Sequence, residues 1–318
     1  MNTVLLAYYN DDKYIDIQIE SILQQTRLVD KIVIVNDFSK DHFKEYIQKF
    51  ESSKVVLLDN ECTKGTRAAI FDTICSLDAS VIFLADQDDV WFETKIERII
   101  SYFDNNPGID LVCSNATLIG GDGWTNKKTV WDIQGFSEKQ FSGKNEVFQF
   151  LMLFGNFTPG ATMALRKSAL SYLLPYDTAT NYWHDEWFIF LAAAKGKLGL
   201  IDEPLIKYRL HDNQQVGLGS KDDFEARIKH VNHVLAKDIN AENANGLLGI
   251  YWNAYQRALF FEKKSKSALR FSDDILKTVY ELKFDYLKQL RFLNRYYLLL
   301  RWWYSGLYKP RLKDIFLV

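Results

Sequence analysis

Apolar runs alternate with helical segments four times in the first part of the chain. Each run has the length and continuous apolar character of a buried strand. The repeat recurs at roughly 25–30 residues, which is typical of βαβ units that form a parallel sheet. The four predicted strands are residues 3–8, 31–36, 54–58 and 81–85. We therefore predict an α/β fold, Rossmann-like, in which helices flank a mainly parallel sheet.

The pattern changes after a predicted hinge at Gly217–Ser220. Before the hinge, shorter strands and helices continue, with a predicted hairpin turn at residues 120–123 and an irregular polar stretch over residues 124–143. Beyond the hinge, helical spacing dominates. We predict one domain over residues 1–216 and a C-terminal helical region over residues 217–318.

Three carboxylates follow the fourth predicted strand within four residues: Asp86, Asp88 and Asp89. Carboxylates this close repel one another unless a cation or hydrogen-bond donors lie between them. Ions such as Mg²⁺ bind a few carboxylates together with substrate phosphates, and open α/β sheets bind ligands at the carboxyl ends of their strands. We favour a metal–phosphate site here, with Asp89 as the cap of the next helix. The alternative is a polar turn that only caps that helix.

Two common phosphate-binding motifs are absent from the sequence. No G-x-G-x-x-G follows the first predicted strand, which argues against a dinucleotide-binding oxidoreductase, and there is no Walker A sequence. Gly65-Thr66-Arg67 is similar to the glycine-rich loop of sugar nucleotidyltransferases, but it follows the third strand and not the first. A nucleotide held by carboxylates and a metal points to a donor activated for glycosyl transfer.

Composition excludes several other classes of protein. The 39 basic and 41 acidic residues nearly balance, so we expect no nucleic-acid partner. The three cysteines lack metal-ligand spacing and are predicted to be reduced thiols of a cytoplasmic protein. A strand that begins almost at Met1 predicts no signal peptide. No uncharged run reaches the roughly 18 residues of a membrane span.

The last part of the chain is basic and aromatic. Residues 261–318 contain 13 basic and 6 acidic residues, a local net charge of +7. Lys288, Arg291 and Arg295 form a basic stripe, and Trp302-Trp303-Tyr304 follows it. Two interpretations remain open: a helix packed on the first domain with a solvated basic face, or a helix lying at the inner face of the cell membrane.

Six segments share their order and spacing with a known family. They are Val4–Asn10, Gln18–Thr26, Ile32–Asp41, Phe83–Trp91, His184–Trp187 and Asp202–Gly217. Together they resemble family 2 glycosyltransferases of the GT-A fold, over roughly the first two-thirds of the chain. The combination of Asp-Gln-Asp-Asp-Val-Trp, His-Asp-x-Trp and Tyr-Arg-x-His is most similar to bacterial polysaccharide rhamnosyltransferases.

The resemblance implies a donor site built from strand ends. Asp86 and Asp88 match the D-x-D pair of the family, with Asp88 as the direct ligand of Mn²⁺ or Mg²⁺. His211 matches the histidine that closes over the metal and diphosphate; a loop histidine without that role is the alternative. The residues implied to bind the nucleotide are Ala7, Tyr9, Asp37, Arg67 and Asp86. Asn36, Phe38 and the Thr63-Lys64-Gly65 segment depart from the family's pattern, which leaves the base undetermined.

The resemblance also implies an acceptor site. Asp185 matches the catalytic base, although it could simply be an acid at a helix N-terminus. Further candidates for acceptor or sugar contacts are Trp183, His184, Glu186, Trp187, Asn156, Thr158 and Arg209.

These features together predict an inverting, metal-dependent transferase. It would move a sugar from a nucleotide-diphosphate donor, with dTDP-L-rhamnose as the leading candidate, to a hydroxyl of a bacterial surface polysaccharide or lipid-linked oligosaccharide. A sugar nucleotidyltransferase and a non-catalytic glycan-binding scaffold of the same fold are the alternatives.

Overall fold

The computed structural model covers most of the chain. It describes residues 1–10, 13–39, 50, 54–62, 65–120, 125–141, 143–174, 176, 182–211, 221–237, 243–266 and 271–289.

One mixed sheet organises the described residues. Its strands are β1 (Asn2–Tyr8), β2 (Lys31–Asn36), β3 (Val55–Asp59), β4 (Val81–Ala85), β5 (Val90–Trp91), β6 (Leu111–Gly120), β7 (Thr125–Thr129), β8 (Met163–Arg166) and β9 (Leu198–Leu210). They lie in the order β3-β2-β1-β4-β8-β6-β9-β5, and β7 pairs with β6 outside this path. β1 to β4 are mutually parallel, as predicted, whereas β8 runs antiparallel to both of its neighbours.

Ten helices accompany these strands in the described part of the chain. They are α1 (Ile15–Leu23), α2 (Thr66–Ile74), α3 (Lys95–Asn105), α4 (Val130–Gln134), α5 (Lys144–Phe154), α6 (Leu170–Leu173), α7 (His184–Ala194), α8 (Lys221–Ala236), α9 (Ala244–Ser265) and α10 (Phe271–Gln289). Short 3₁₀ turns cover Gly160–Thr162 and Lys167–Ala169. The sequence pattern also predicts a helix over Asp41–Phe50, of which residues 41–49 lie outside the described residues.

The parallel strands bring their polar ends to one edge. Every residue of β4 is buried, and β1 is buried from Thr3 to Tyr8, because helices cover both faces of this part of the sheet. In the register of the sheet Tyr8 lies beside Asn36, and Asn36 lies beside Asp59. The residues that follow β1, β2, β3 and β4 therefore meet at the same edge.

The prediction of an irregular stretch over residues 124–143 is wrong. β7 pairs antiparallel with β6, and α4 follows it directly. Thr129 and Asp132 form a capping box, in which Thr129 Oγ1 accepts from the Asp132 N–H at 3.3 Å and Asp132 Oδ2 accepts from the Thr129 N–H at 2.8 Å. The sequence pattern also predicts two short strands, Leu198–Ile201 and Leu205–Arg209, around Pro204. The structure has a single strand there, β9, whose register with β6 shifts at that proline.

The C-terminal helices pack on the part of the chain that carries α5 and α7. Arg227 donates to the Phe154 carbonyl at 2.7 Å, and Arg257 donates to the Met152 carbonyl at 2.9 Å. Both cations therefore satisfy carbonyls at the end of α5, where a helix dipole favours positive charge. Phe261 of α9 packs edge-on against Trp187 of α7.

The basic tail lies largely beyond the described helices. Arg291, Arg295 and the Trp302–Tyr304 run lie outside the described residues. Of the helices that the structure describes, none combines the length and the apolar character needed to cross a membrane.

Candidate active site

The loop after β4 is fastened to β1 and α1. Gln87 Oε1 accepts from the Tyr9 N–H at 2.8 Å, and Gln87 Nε2 donates to the Tyr9 carbonyl at 3.3 Å. The Asp86 carbonyl accepts from Gln18 Nε2 at 2.9 Å. Because Gln18 is fully buried, these bonds fix the carboxylate loop to the core of the sheet.

Asp37 is held at the end of β2 by two neighbouring segments. Its Oδ1 accepts from Asn60 Nδ2 at 3.0 Å, and its Oδ2 accepts from the Gly65 N–H at 2.7 Å. Gly65 has φ of 84°, a conformation that glycine adopts without strain, and it is the residue before α2. Asn36, at the position where the family usually has an acid, donates to Asp59 Oδ1 at 2.9 Å.

The remaining nucleotide candidates lie around this edge. Ala7 is buried in β1, and Tyr9 follows that strand. Arg67, in the first turn of α2, donates to the Tyr182 carbonyl at 3.3 Å and lies over the ring of Tyr176. Its guanidinium therefore links α2 to the segment that precedes α7.

Asp88 and the end of β9 form a compact polar cluster. Asp88 Oδ2 lies 2.7 Å from His211 Nε2, and the Asp88 carbonyl accepts from Arg209 Nε at 2.7 Å. The Arg209 guanidinium lies 4.2 Å from the centre of the Tyr14 ring, which in turn lies 5.4 Å from the His211 ring. The structure thus brings Asp88 together with two predicted residues, Arg209 and His211, that lie 121 and 123 residues later in the chain.

Asp89 does not cap a helix, so that prediction is wrong. The next residues form β5, which pairs with β9, and α3 begins only at Lys95. Asp89 is fully buried instead; its Oδ1 accepts from the Arg209 N–H at 3.0 Å, and its Oδ2 has no hydrogen-bond partner among the described residues. Its carboxylate therefore connects the loop after β4 to the backbone of β9 within the protein core.

Lys95 lies beneath the same cluster and was not identified from the sequence. It is fully buried, donates to the Ala161 carbonyl at 2.6 Å, and holds its ammonium 3.7 Å from the centre of the Trp91 ring. Burial lowers the pKa of Lys95 to about 7, while Asp89 and Asp86 oppose that shift. Its position on the apolar stripe of α3, one turn before Ile99, was the available signal.

The crowding of carboxylates has the expected electrostatic effect. Burial, then Asp88 and Asp185, raise the pKa of Asp86 to about 7. Burial, then Asp88 and Asp86, also raise the pKa of Asp89. Because Asp185 acts on Asp86, the carboxylate loop and the start of α7 border one site.

Asp185 lies in the first turn of α7 and is surrounded by hydrogen-bond donors. Its Oδ1 accepts from the Glu186 N–H at 2.9 Å, and its Oδ2 accepts from Asn156 Nδ2 at 3.1 Å. Burial raises the pKa of Asp185 to about 6, and bonds from the backbone of Glu186, Asp185 and Gly160 and from Asn156 oppose the shift. A carboxylate with this pKa is available as a general base near neutral pH.

The other acceptor candidates occupy different environments. Trp183 is 36% exposed, and its N–H donates to Glu186 Oε2 at 3.1 Å. Trp187 is buried, and its indole donates to the Leu173 carbonyl at 2.8 Å, which places it in the core.

His184 and Thr158 are buried beside Asp185. Burial lowers the pKa of His184 to about 4, and its Nδ1 has no hydrogen-bond partner among the described residues. Thr158 and Thr162 share a hydrogen bond of 2.6 Å between their hydroxyls. Thr158 thus stabilises the turn that lies in front of Asp185.

The predicted metal ligands form a partial set. In the described part of the chain, no group of three or more His, Cys, Asp or Glu side chains is arranged to hold a metal ion. Asp88 and His211 are nevertheless both metal-ligand types and already face each other. Mg²⁺ typically takes one or two protein carboxylates and fills its other positions with substrate phosphates and water. The pair fits a metal bound together with a diphosphate.

A family model covers the part of the chain that contains β1 to β8 and the carboxylate loop. The model of Glycosyl transferase family 2 matches residues 3–173, more than half of the chain. This chain belongs to that family. It is therefore a glycosyltransferase that uses nucleotide-sugar donors.

Individual relatives agree with the family assignment. An uncharacterized glycosyltransferase of Nostoc sp. is 26% identical over 236 residues, which cover 71% of this chain and 70% of the relative. A dTDP-rhamnosyl transferase, RfbG of Shigella flexneri, is 25% identical over 246 residues, 73% of this chain and 80% of the relative. A UDP-glucose-dependent β-1,3-glucosyltransferase of Escherichia coli, WfgD, which acts on GlcNAc-diphosphoundecaprenol, is 27% identical over 125 residues, 39% of this chain and 49% of the relative.

The fold of this glycosyltransferase also has solved counterparts. S. aureus TarS in complex with UDP-GlcNAc superposes with a TM-score of 0.50 at 13% identity, covering 88% of this chain and 90% of that one. A longer TarS structure gives 0.51 at 13% identity, covering 89% of this chain and 53% of that one. The family 2 chain has the GT-A fold, as predicted.

Proposed function

We propose that this glycosyltransferase acts by a single displacement that inverts the anomeric carbon and depends on a divalent metal. The observation that carries the proposal is the Gly160–Thr162 turn, in which Gly160 lies against Asp185 and the Ala161 carbonyl accepts from Lys95, the buried cation below the Asp86–Asp89 loop. It supports a donor diphosphate at the Asp86–Asp89 loop and an acceptor hydroxyl at Asp185, within one site. The neighbouring acid Glu186 accepts from the Trp183 N–H at the start of α7, which supports a mechanism with Asp185 as the base and without a second nucleophile.

Different residues of the chain have different roles in the proposed reaction. Asp185 accepts the proton of the acceptor hydroxyl, and its orientation is set by the start of α7 and by Asn156. Gln87 keeps the carboxylate loop against β1. A Mn²⁺ or Mg²⁺ ion held by Asp88 and His211 would supply positive charge to the leaving diphosphate.

For the donor we propose dTDP-L-rhamnose, with UDP-sugars as the competing class. The likeness to the dTDP-rhamnosyl transferase of Shigella flexneri supports the first. The UDP-glucose-dependent relative of Escherichia coli supports the second. Asp37, with both carboxylate oxygens directed by Asn60 and Gly65, is the proposed contact to the pyrimidine base in either case.

For the acceptor we propose a hydroxyl of a growing surface polysaccharide or of a lipid-linked oligosaccharide. The diphosphoundecaprenol-linked acceptor of the Escherichia coli relative supports this class. Residues 1–216 would then form the catalytic domain. Residues 217–318 would brace it through α8 and α9 and approach the inner face of the membrane with their basic end.

The first experiment is a thermal-shift screen of dTDP, UDP, dTDP-L-rhamnose, UDP-glucose and UDP-GlcNAc, each with and without Mn²⁺. A ligand at about 100 times its Kd stabilises the folded state by about 2.7 kcal/mol. The ranking of the ligands by thermal shift therefore identifies the nucleobase of the donor. Donor binding that does not change with Mn²⁺, or that survives Asp88→Ala, contradicts the metal proposal.

The second experiment tests the base with the donor that the screen selects. Asp185→Asn should abolish transfer while donor binding persists. Asp104→Asn, an exposed aspartate of α3, is the matched control. Normal transfer by Asp185→Asn removes the base assignment, and release of pyrophosphate from a nucleoside triphosphate would favour a nucleotidyltransferase instead.

A further inference from the structure

The turn from Asn156 to Thr162 contacts Asp185 from the side opposite to its own helix. Asn156 Nδ2 donates to Asp185 Oδ2 at 3.1 Å. Gly160 of the same turn also lies against this residue, because a Cβ added there would lie 3.4 Å from Asp185 Cβ. Asp185 is thus held from two elements, although only α7 carries it.

The Asn156 amide is itself fixed in orientation. Its Oδ1 accepts from the Thr158 N–H at 3.1 Å, so its Nδ2 must be the atom that faces Asp185. The turn behind it is closed by the Thr158–Thr162 hydroxyl bond and by the bond from Thr162 Oγ1 to the Pro159 carbonyl at 2.7 Å. The Nδ2 group of Asn156 is therefore held in one position, where it donates a hydrogen bond to Asp185.

We propose that Asn156 is a positioning residue for the base of this glycosyltransferase: it fixes Oδ2 of Asp185 while the Glu186 N–H fixes Oδ1. This proposal rests on the role of Asp185 argued above. A carboxylate bonded at both oxygens keeps one rotamer, so its free lone pairs point in a constant direction toward an acceptor hydroxyl. Asn156 acts through Asp185 and need not touch the sugar.

Loss of the hydrogen-bond donor at Asn156 should change the pKa of Asp185, which general damage to the fold would not do in this specific way. A hydrogen bond to the charged form favours that form, so without it Asp185 should hold its proton to a higher pH. The other groups that act electrostatically on or near Asp185 are Asp86 at the end of β4, Cys113 on β6, Tyr208 on β9 and Glu186 on α7. All four stay unchanged when only Asn156 is replaced.

Two substitutions at position 156 distinguish the effect of the Nδ2 hydrogen-bond donor from the effect of side-chain shape. Asn156→Asp keeps the acceptor for the Thr158 N–H and almost the same volume, but it replaces the donor by an oxygen that repels Asp185. Asn156→Ala removes both bonds. Asn106→Ala is the matched control, because Asn106 is similarly half-buried and its side-chain amide donates to the Tyr102 carbonyl in α3, away from Asp185.

The experiment measures the titration of Asp185 directly and then the pH dependence of transfer. In protein labelled with ¹³C at the aspartate carboxyl carbons, the Asp185 resonance is the one lost in Asp185→Asn. We expect its midpoint to rise by about one pH unit in Asn156→Ala, the effect of one lost bond to a carboxylate, and further in Asn156→Asp. Asn106→Ala should match the parent protein.

Transfer should follow the same midpoint. A rise of about one unit from a midpoint near 6 lowers the rate about fivefold at pH 6 and very little at pH 8.5, with the KM for the donor unchanged. A rate that falls equally at all pH values, or a midpoint that does not move in either variant, overturns the proposal. If Asp185→Asn transfers sugar normally, the base assignment fails, and a shifted resonance in Asn156→Ala would then record a structural contact only; the two failures are therefore distinguishable.

Discussion

His211 Nε2 lies 2.7 Å from Asp88 Oδ2, although 123 residues separate them in the chain. The contact exists because β9 runs beside β5 and carries Arg209 back to the carboxylate loop, where its N–H bonds Asp89. The end of β9 is thereby fastened to the loop that follows β4. The part of the site that we propose for the donor depends on this long-range pairing.

Replacing His211 by Ala should weaken metal-dependent binding of the donor. The substitution removes a partner of Asp88 and, on the proposed role, a ligand of the ion. We expect a loss of about tenfold to a hundredfold in affinity, the range seen when groups around a metal are removed. Isothermal calorimetry with UDP or dTDP and Mn²⁺ measures it. His233→Ala, on the exposed face of α8, should bind like the parent protein.

The rate of transfer should rise with pH through about 6 and then level off. Burial raises the pKa of Asp185 to about 6, and a base is active only without its proton, so activity is lost as the pH falls through that value. A profile of kcat between pH 5 and pH 8.5 records the midpoint. A rate that stays constant down to pH 5 would exclude Asp185 as the group that titrates.

Gly160→Ala should damage both the fold and the reaction. A Cβ at Gly160 would lie 2.9 Å from His184 Nε2 and 3.4 Å from Asp185 Cβ, so the start of α7 must move. We expect the free energy of unfolding to fall by about 1–3 kcal/mol, as for other overpacked positions. Urea denaturation measures this loss. Gly108→Ala is the control, because nothing lies within 4 Å of the Cβ it would gain.

Lys95→Met should destabilise the protein, because methionine replaces the aliphatic part of the lysine side chain but lacks its ammonium group. The variant loses the bond to the Ala161 carbonyl and leaves the buried Asp89 carboxylate without its nearby cation. A buried carbonyl that loses its hydrogen-bond donor costs about 1–3 kcal/mol, whereas the loss of an exposed ion pair costs under about 1 kcal/mol. Chemical denaturation of Lys95→Met and of Lys277→Met, whose ammonium lies 3.9 Å from Glu281, compares the two losses. Equal losses of stability in the two variants would contradict the stabilising role of the Lys95 ammonium.

The sequence alone predicts the parallel strands β1 to β4 and places the carboxylates at their ends. Continuous apolar runs specify buried parallel strands, and the ends of β1, β2 and β4 meet where the pattern predicts. Local patterns failed where distant strands decide the structure. Asp89 precedes β5, not a helix, because β9 arrives to pair with Val90 and Trp91.

Residues that act through others were the hardest to identify. Lys95 is a charged residue on an apolar helix face, and such residues are normally found at the surface. The roles of Gln87 and Asn156 depend on bonds to Tyr9 and Asp185, which lie 78 and 29 residues away in the chain. Thr129-x-x-Asp132 carried a helix-start signal, which the polar composition around it obscured.

The Gly160–Thr162 turn links two parts of the site: Gly160 lies against Asp185, and the Ala161 carbonyl accepts from Lys95. Lengthening or shortening this turn would displace the proposed base and the buried lysine together. On the proposed roles, redesign of acceptor choice should therefore leave its backbone unchanged and vary exposed side chains such as Trp183. New acceptor specificity would then be introduced through side chains, while the backbone that holds the proposed reacting groups stays unaltered.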